Sequence, residues 1–146
     1  MQQGERNKTL SLIERATLLD PLDVPRRLDQ LASLEDGWLD GKGMAPRKDG
    51  LRWMAKVFDK SFDPALPLPH IYPTPEGGLQ AEWNLGRWSV SLEIDLSTRE
   101  GRYQALNLQR SEDCTERVFD LGETGGWSQL NAALRYLARQ DEKAHA

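Results

Sequence analysis

Residues 79–96, with the sequence LQAEWNLGRWSVSLEIDL, decide the fold because apolar and polar residues alternate there on both sides of a turn signal. Alternation with a period of two is typical of half-buried strands. The pattern predicts two antiparallel strands joined at residues 84–87, with Trp83 opposite Trp88. A slip of one residue would place a tryptophan opposite a polar side chain. We therefore predict a hairpin whose two indole rings face a core and whose carboxylates face water.

Further strands are predicted on both sides of this hairpin. A proline-rich segment precedes it, and residues 70–72 within that segment predict a short edge strand. A strand at about 102–109 places Leu106 and Leu108 on the same side as the tryptophans, and a last strand follows at about 115–121. The whole pattern predicts an antiparallel meander of four to five strands.

Apolar residues at helical spacing predict helices before and after the sheet. A short amphipathic helix is indicated at residues 10–17. A second helix begins after Asp23, a favoured N-cap residue, and ends near Glu35. Pro46 opens a third helix, since proline is tolerated in a first turn. The last helix is predicted at about 126–140.

These elements predict an α+β fold in which the helices pack on one face of the sheet. The chain has 146 residues, which fits a single domain spanning 1–146. Within it we expect a helical part at about 9–60, the sheet at about 68–121 and the C-terminal helix described above.

The amino-acid composition argues against a disordered protein and a membrane-spanning protein. The chain has 23 acidic and 19 basic residues, a net charge of −4, and five tryptophans. The large apolar side chains argue against a disordered protein, and no apolar run approaches the length of a membrane span. Residues 1–19 lack the uninterrupted apolar run of a signal peptide. The single cysteine, Cys114, forms no internal disulfide, so we expect a cytoplasmic protein.

The candidate binding residues lie on the predicted polar face of the sheet, in the proline-rich edge and in a glycine-rich loop. The sequence predicts a partner surface there, because prolines at an edge discourage indiscriminate strand addition while displaying aromatic groups. No catalytic residue, metal site or cofactor is predicted. The candidate residues are Trp38, Asp40, His70, Tyr72, Glu82, Glu93 and Asp95.

The carboxylates on the polar face raise two alternatives, a glycosidase site and a divalent-metal site. The predicted register separates Glu82 from Glu93 by about 14 Å along the strand, which is too far for the acid and nucleophile of a glycosidase. Glu93 and Asp95 lie about 7 Å apart and would hold a divalent metal with help from Tyr103 or Asn107. A solvated face is the favoured interpretation, because antiparallel sheets commonly leave one face in water.

The sequence does not match the patterns of calcium loops, zinc sites or nucleotide-binding loops. Asp36 and Asp40 resemble the start of a calcium loop, but Arg47 stands where an EF-hand needs its twelfth-position glutamate. His70 and Cys114 lack the spacing of a zinc site. Walker and G-x-G-x-x-G loops are also absent from the sequence.

The glycine, proline and tryptophan spacing resembles a family of small, uncharacterised bacterial proteins. The resemblance covers about residues 28–96 and is carried by DGWLDG at 36–41, Pro46, YPTPEGG at 72–78 and QAEW at 80–83. It implies no activity. It implies instead an accessory role of the kind found beside mobile elements, in defence or in antitoxin-like pairs.

The leading functional prediction is a non-catalytic cytoplasmic module that binds another protein, a basic one, through an acidic surface. A homo-oligomer is compatible with the sequence. One alternative is an enzyme of unfamiliar type that uses carboxylates of the polar face, which predicts a desolvated carboxylate in a concave site. The other is a nucleic-acid-binding regulator, against which the acidic composition argues.

Overall fold

The computed structural model describes residues 22–145, with side chains described for residues 22–140. The amphipathic helix predicted at 10–17 lies outside the described residues. The described part has an α+β fold, as predicted, with a five-stranded antiparallel meander. Its elements are α1 (Val24–Leu31), α2 (Lys48–Ser61), β1 (His70–Pro73), β2 (Leu79–Leu85), β3 (Trp88–Ile94), β4 (Glu100–Asn107), β5 (Cys114–Asp120) and α3 (Thr124–His145).

The helices begin close to the predicted places but end elsewhere. Asp23 caps α1, and its Oδ1 accepts a hydrogen bond of 3.2 Å from the backbone N–H of Arg26. That helix ends at Leu31 and not near Glu35, and residues 32–33 form a turn directly after it. Helix α2 begins two residues after Pro46, and α3 continues past the predicted end.

The predicted pairing of the central hairpin is wrong by two residues. Trp83 lies opposite Val90, and Trp88 lies opposite Leu85. Gly86, with φ of +62°, and the residue after it form the connecting turn, so the turn has two residues and not four. A shift of two keeps every side chain on its predicted face. Both tryptophans are therefore buried on the core side, as predicted, with 3% and 6% exposure.

The placement of leucines in β4 was also predicted wrongly. Leu106 pairs with Ser89 on the polar side of the sheet, and Leu108 lies beyond the strand with 63% exposure. The core positions are taken by small residues and an aromatic one, including Gly101 and Tyr103. A Cβ at Gly101 would lie 2.8 Å from Cδ1 of Leu121 and 3.0 Å from Cδ1 of Leu92, so a larger residue here would require these leucine side chains to shift.

The sheet has two unlike faces. The covered face packs against the helices, and its core includes Leu79, Leu92, Phe119 and, from α3, Leu130. We call the other side the open face, because no residue on it is buried in the described structure. The open face comprises His70, Tyr72, Gln80, Glu82, Asn84, Ser89, Ser91, Glu93, Glu100, Arg102, Gln104, Leu106, Cys114, Glu116, Val118 and Asp120.

Candidate functional site

Four of the predicted binding residues meet on the open face. His70 of β1 lies opposite Glu82 of β2, and Tyr72 lies opposite Gln80 in the same strand pair. Gln80 in turn lies opposite Glu93 of β3. The side-chain amide of Gln80 donates a hydrogen bond of 2.7 Å to Oε1 of Glu82, which orients that carboxylate. The structure thus brings together an aromatic residue, a histidine and two carboxylates.

The observed register changes the relation between the two carboxylates. Glu82 lies opposite Ser91, so Glu93 is its diagonal neighbour on the adjacent strand. Diagonal neighbours lie about 7–8 Å apart, so the predicted separation of about 14 Å is wrong. Distance alone therefore does not exclude a carboxylate pair. Exposure is the stronger objection, because Glu93 is exposed to solvent and a catalytic acid is kept protonated by burial.

Negative charge dominates the open face. One arginine faces these carboxylates, and Nε of Arg102 lies 3.7 Å from Oε1 of Glu100. Glu93 and Glu116 form no salt bridge with a cation among the described residues. The carboxylates of the face are Glu82, Glu93, Glu100, Glu116 and Asp120.

Trp38 and Asp40 lie in a separate place, the loop between α1 and α2. The indole Nε1 of Trp38 donates a hydrogen bond of 2.9 Å to the backbone oxygen of Met44, which closes the loop on itself. Asp40 adopts a left-handed φ of 57°, a conformation that favours glycine and short polar residues. Asp36 accepts a 2.9 Å bond from the backbone N–H of Ala45. These contacts give the loop a structural role, and its residues Met44, Ala45 and Arg47 line the cleft that also contains Glu93.

Asp95 shapes the turn between β3 and β4. Its Oδ1 accepts hydrogen bonds from the backbone N–H groups of Ser97, at 2.8 Å, and Thr98, at 3.1 Å. The backbone bonds from Thr98 and Ser97 hold the pKa of the Asp95 carboxyl below its usual value. With Glu93, Asp95 lines a cleft of about 150 Å³ beside Thr74. A carboxylate held ionised by two amides is suited to fixing a turn and not to donating a proton.

The strand register argues against the predicted divalent-metal site. Tyr103 lies opposite Leu92, and Asn107 lies opposite Trp88, so both side chains project from the covered face. They lie on the other side of the sheet from Glu93, and the prediction that they complete its ligand set is wrong. Among residues 22–140, no three histidine, cysteine or carboxylate side chains form a group that would hold a metal ion.

The sequence analysis missed a cleft between α3 and the covered face of β3–β5. This helix cleft has a volume of about 470 Å³, which falls within the range of small-molecule sites. Apolar and aromatic side chains form much of it, and polar side chains also line it. Its lining includes Trp88, Tyr103, Asp113, Thr115, Arg117, Ala133, Tyr136 and Leu137.

Two residues that line the helix cleft, Trp88 and Tyr103, have polar groups in unusual environments. Nε1 of Trp88 is buried and finds no hydrogen-bond acceptor among the described residues. Burial raises the pKa of Tyr103 to about 12, against the opposing effect of the nearby Arg117. The guanidinium of Arg117 lies 4.8 Å from the ring centre of Phe119. Sequence patterns did not reveal the cleft, because it depends on where α3 crosses the sheet.

Comparison with known proteins provides no further identification. No family model, no curated protein and no solved structure matches the chain. The resemblance to a family of small bacterial proteins therefore stays a prediction. In the part of the chain that the structure describes, no helix combines the length and apolar character that crossing a membrane requires.

Proposed function

We propose that this protein is a non-catalytic cytoplasmic module that binds a basic protein through the open face. The observation that supports the proposal best is the concentration of five carboxylates there, beside a single arginine and a histidine. The arginine already lies next to one of them, since Arg102 contacts Glu100. The remaining carboxylates present a negative field to an approaching partner.

Rigid placement of these groups favours recognition over simple solvation. The paired strands fix the spacing of the carboxylates, and the bond from Gln80 orients Glu82. A partner with lysine or arginine side chains at matching spacing would gain association rate and register from this pattern. Tyr72 and Val118 add apolar contact area at opposite edges of the face, and Val118 is 62% exposed.

The same charge argues against a nucleic-acid partner at this face. Binding to DNA or RNA is dominated by lysine and arginine contacts with phosphates, and the carboxylates would repel phosphates instead. The enzymatic alternative would need one of these carboxylates to be desolvated, whereas four of the five are exposed and Glu82 is only partly buried. A protein partner is the class that the charge and the open geometry favour.

The cellular role that we propose rests on the resemblance to the family of small, uncharacterised bacterial proteins. An antitoxin-like, defence-associated or mobile-element accessory protein would act by covering a basic surface of another protein. That role is compatible with a cytoplasmic location and with the single free cysteine, Cys114. A homo-oligomer stays a prediction.

The test compares capture by two variants with the same change in charge. The immobilised full chain is incubated with lysate of its native host at low and moderate salt, and captured proteins are identified by mass spectrometry. The open-face variant carries Glu82→Gln, Glu93→Gln and Glu116→Gln. We expect wild type to capture a defined basic protein and this variant to lose about tenfold or more of that capture, because charge-assisted contacts are removed.

The matched control carries Asp29→Asn, Glu35→Gln and Asp59→Asn, which neutralise three exposed carboxylates outside the open face. It should capture the same partner as wild type. Equal loss in both variants would show a non-specific charge effect and would contradict the proposed interface. Absence of any captured protein at both salt concentrations would contradict the proposed function itself.

A further inference from the structure

We propose that β5 binds an extended segment of the basic partner as an additional antiparallel strand of the sheet. This inference rests on the proposed function, because the partner is the same basic protein, and it adds where and how that partner docks. It is carried by unpaired backbone groups along one edge of the sheet and by the charges beside them.

The edge formed by β1 offers little to a further strand. The backbone N–H of Thr74 donates to the oxygen of Gly78 on the β2 side. Because bonded and non-bonded pairs alternate in an antiparallel ladder, Ile71 and Pro73 direct their backbone groups outward. The oxygen of Ile71 already accepts a bond of 2.8 Å from Nε of the buried Arg27. Proline has no N–H to donate, so this edge is largely closed.

The edge formed by β5 is free. The backbone N–H of Leu121 donates a bond of 2.9 Å to the oxygen of Arg99, on the β4 side. By the same alternation, Glu116 and Val118 direct their N–H and C=O groups away from β4. These groups have no hydrogen-bond partner among the described residues. Residues 114–118 are all exposed, so the described structure leaves this edge in contact with solvent.

Free backbone groups on an edge strand are the basis of strand addition. An added strand gains main-chain hydrogen bonds from these groups and specificity from every second side chain. β5 has seven residues, which is long enough for several such bonds. Charged side chains on an edge strand limit which segments can pair with it. The charges on β5 therefore decide the class of partner.

A second copy of β5 is a poor partner for this edge. Centring two antiparallel copies on Glu116 places that residue opposite itself, and centring them on Arg117 opposes two arginines. Centring them on Val118 places Glu116 opposite Asp120. Like charges directly opposite each other destabilise a strand pair. Each of the three central registers therefore contains a repulsive pair.

A basic segment with alternating side chains fits the same edge. On the open face, Glu116 and Asp120 flank Val118, which is 62% exposed. Each carboxylate is two residues from the valine, about 7 Å along the strand. A segment with lysine or arginine at two positions four residues apart, and a β-branched residue midway, would place each cation opposite a carboxylate. Its apolar side chain would then lie opposite Val118.

The probe for the test is a peptide of sequence SKTVTKS, acetylated and amidated at its ends, together with two isomers methylated on a backbone nitrogen. In the proposed pairing, the N–H of the peptide valine points to the β5 edge and the N–H of the preceding threonine points to solvent. Methylation of the valine nitrogen removes a pairing donor, whereas methylation of the threonine nitrogen does not. The two isomers are matched in composition and charge.

The full chain labelled with ¹⁵N is titrated with each peptide, and its backbone amide signals are followed by NMR. We expect the amide signals of Glu116 and Val118 to move downfield and their exchange with water to slow, because both N–H groups gain acceptors. The isomer methylated at valine should bind at least about tenfold more weakly than the isomer methylated at threonine. A peptide with glutamate in place of both lysines should also bind at least about tenfold more weakly than the original.

Variants of the chain locate the site. Val118→Pro removes an outward N–H that pairing with β4 does not use, and it should weaken binding of the original peptide about tenfold. Val118→Thr keeps that N–H and a branched side chain, and it should keep the affinity within about threefold. Signals of β2 and β3 that stay at their wild-type positions show that the proline variant is folded.

Three results would overturn the proposal. The first is equal affinity of the wild-type chain for the two methylated isomers, a measurement that needs no variant to fold. The second is a set of shifted signals at β1 with none at β5. The third is movement of the Glu116 and Val118 signals with protein concentration alone, which would assign the edge to a second copy.

The peptide results and the lysate capture fail separately. Capture of a basic protein by wild type, with no preference between the methylated isomers, would contradict strand addition and leave the open-face interface in place. Peptide binding with the expected preference, but no captured protein, would support the β5 edge site and contradict the proposed function.

Discussion

The covered and open faces use the same strands but place very different demands on their side chains. On the covered face, Leu79 and Leu92 are almost completely buried, and a Cβ at Gly101 would press against the side chain of Leu121. On the open face, neighbouring residues such as Glu93 and Val118 are exposed. The difference teaches that the stability of this sheet depends on close packing at one face, whereas the other face stays in contact with solvent.

The largest effect is expected where α3 meets the end of β5. A Cβ at Gly126 would overlap the backbone carbonyl of Asp120, and a backbone group cannot move aside as a flexible side chain can. Gly126→Ala should lower the free energy of unfolding by about 3 kcal/mol or more. Chemical denaturation of the variant and wild type measures this loss.

The preceding residue supplies the matched control. A Cβ at Gly125 would meet nothing within 4 Å. Since alanine favours helix formation over glycine, Gly125→Ala should stabilise the protein by up to about 1 kcal/mol. Similar destabilisation by both substitutions would show that the close approach of α3 to β5 is not a feature of the folded protein.

A smaller effect is expected beside the open face, at Asp95. Its carboxyl has a lowered pKa in the folded protein because the backbone amides of Thr98 and Ser97 donate to it. The ionised form therefore stabilises the fold above the unfolded-state pKa, near 3.8, and this stabilisation is lost as pH falls through the lower folded-state pKa. Asp95→Asn removes the charge and should cost less than about 1 kcal/mol at neutral pH, because the side chain is exposed.

Denaturation curves of wild type and Asp95→Asn between pH 7 and pH 2 test the sign of this effect. The difference between the two proteins should shrink as the pH falls below the unfolded-state value. A difference that grows at low pH would contradict the hydrogen-bonding role of Asp95.

The faces of the hairpin could be predicted from sequence because alternation sets the side of every residue, whatever the exact pairing. The pairing itself depended on the length of the turn, which alternation does not specify; Gly86 allowed a tighter turn than expected. The error in β4 has another cause. Leucine is usually buried, but the alternation of β4 places Gly101, Tyr103 and Ala105 on the covered face and Leu106 on the open face, so Leu106 does not mark the buried side of this strand.

The candidate site was predicted only in part for the same reasons. Alternation predicted that Glu82 and Glu93 share the polar face, but the predicted register separated them by about 14 Å. The pairing of β1 with β2 that brings His70 and Tyr72 onto the same face was not predicted. The helix cleft could not be predicted, because it depends on how α3 crosses three strands. Sequence periodicity identifies which residues of a helix are apolar, but it does not give the angle at which the helix lies on a sheet.

The central claim, that one face of the sheet is open to a partner, is tested most directly by solvent relaxation of methyl groups in the full chain. A soluble gadolinium chelate is added to methyl-labelled protein, and relaxation is measured for each methyl signal. We expect strong enhancement at Val118, which is 62% exposed on the open face, and little at Val90, which is 1% exposed on the covered face. Equal enhancement at the two valines, or protection of Val118, would contradict the account.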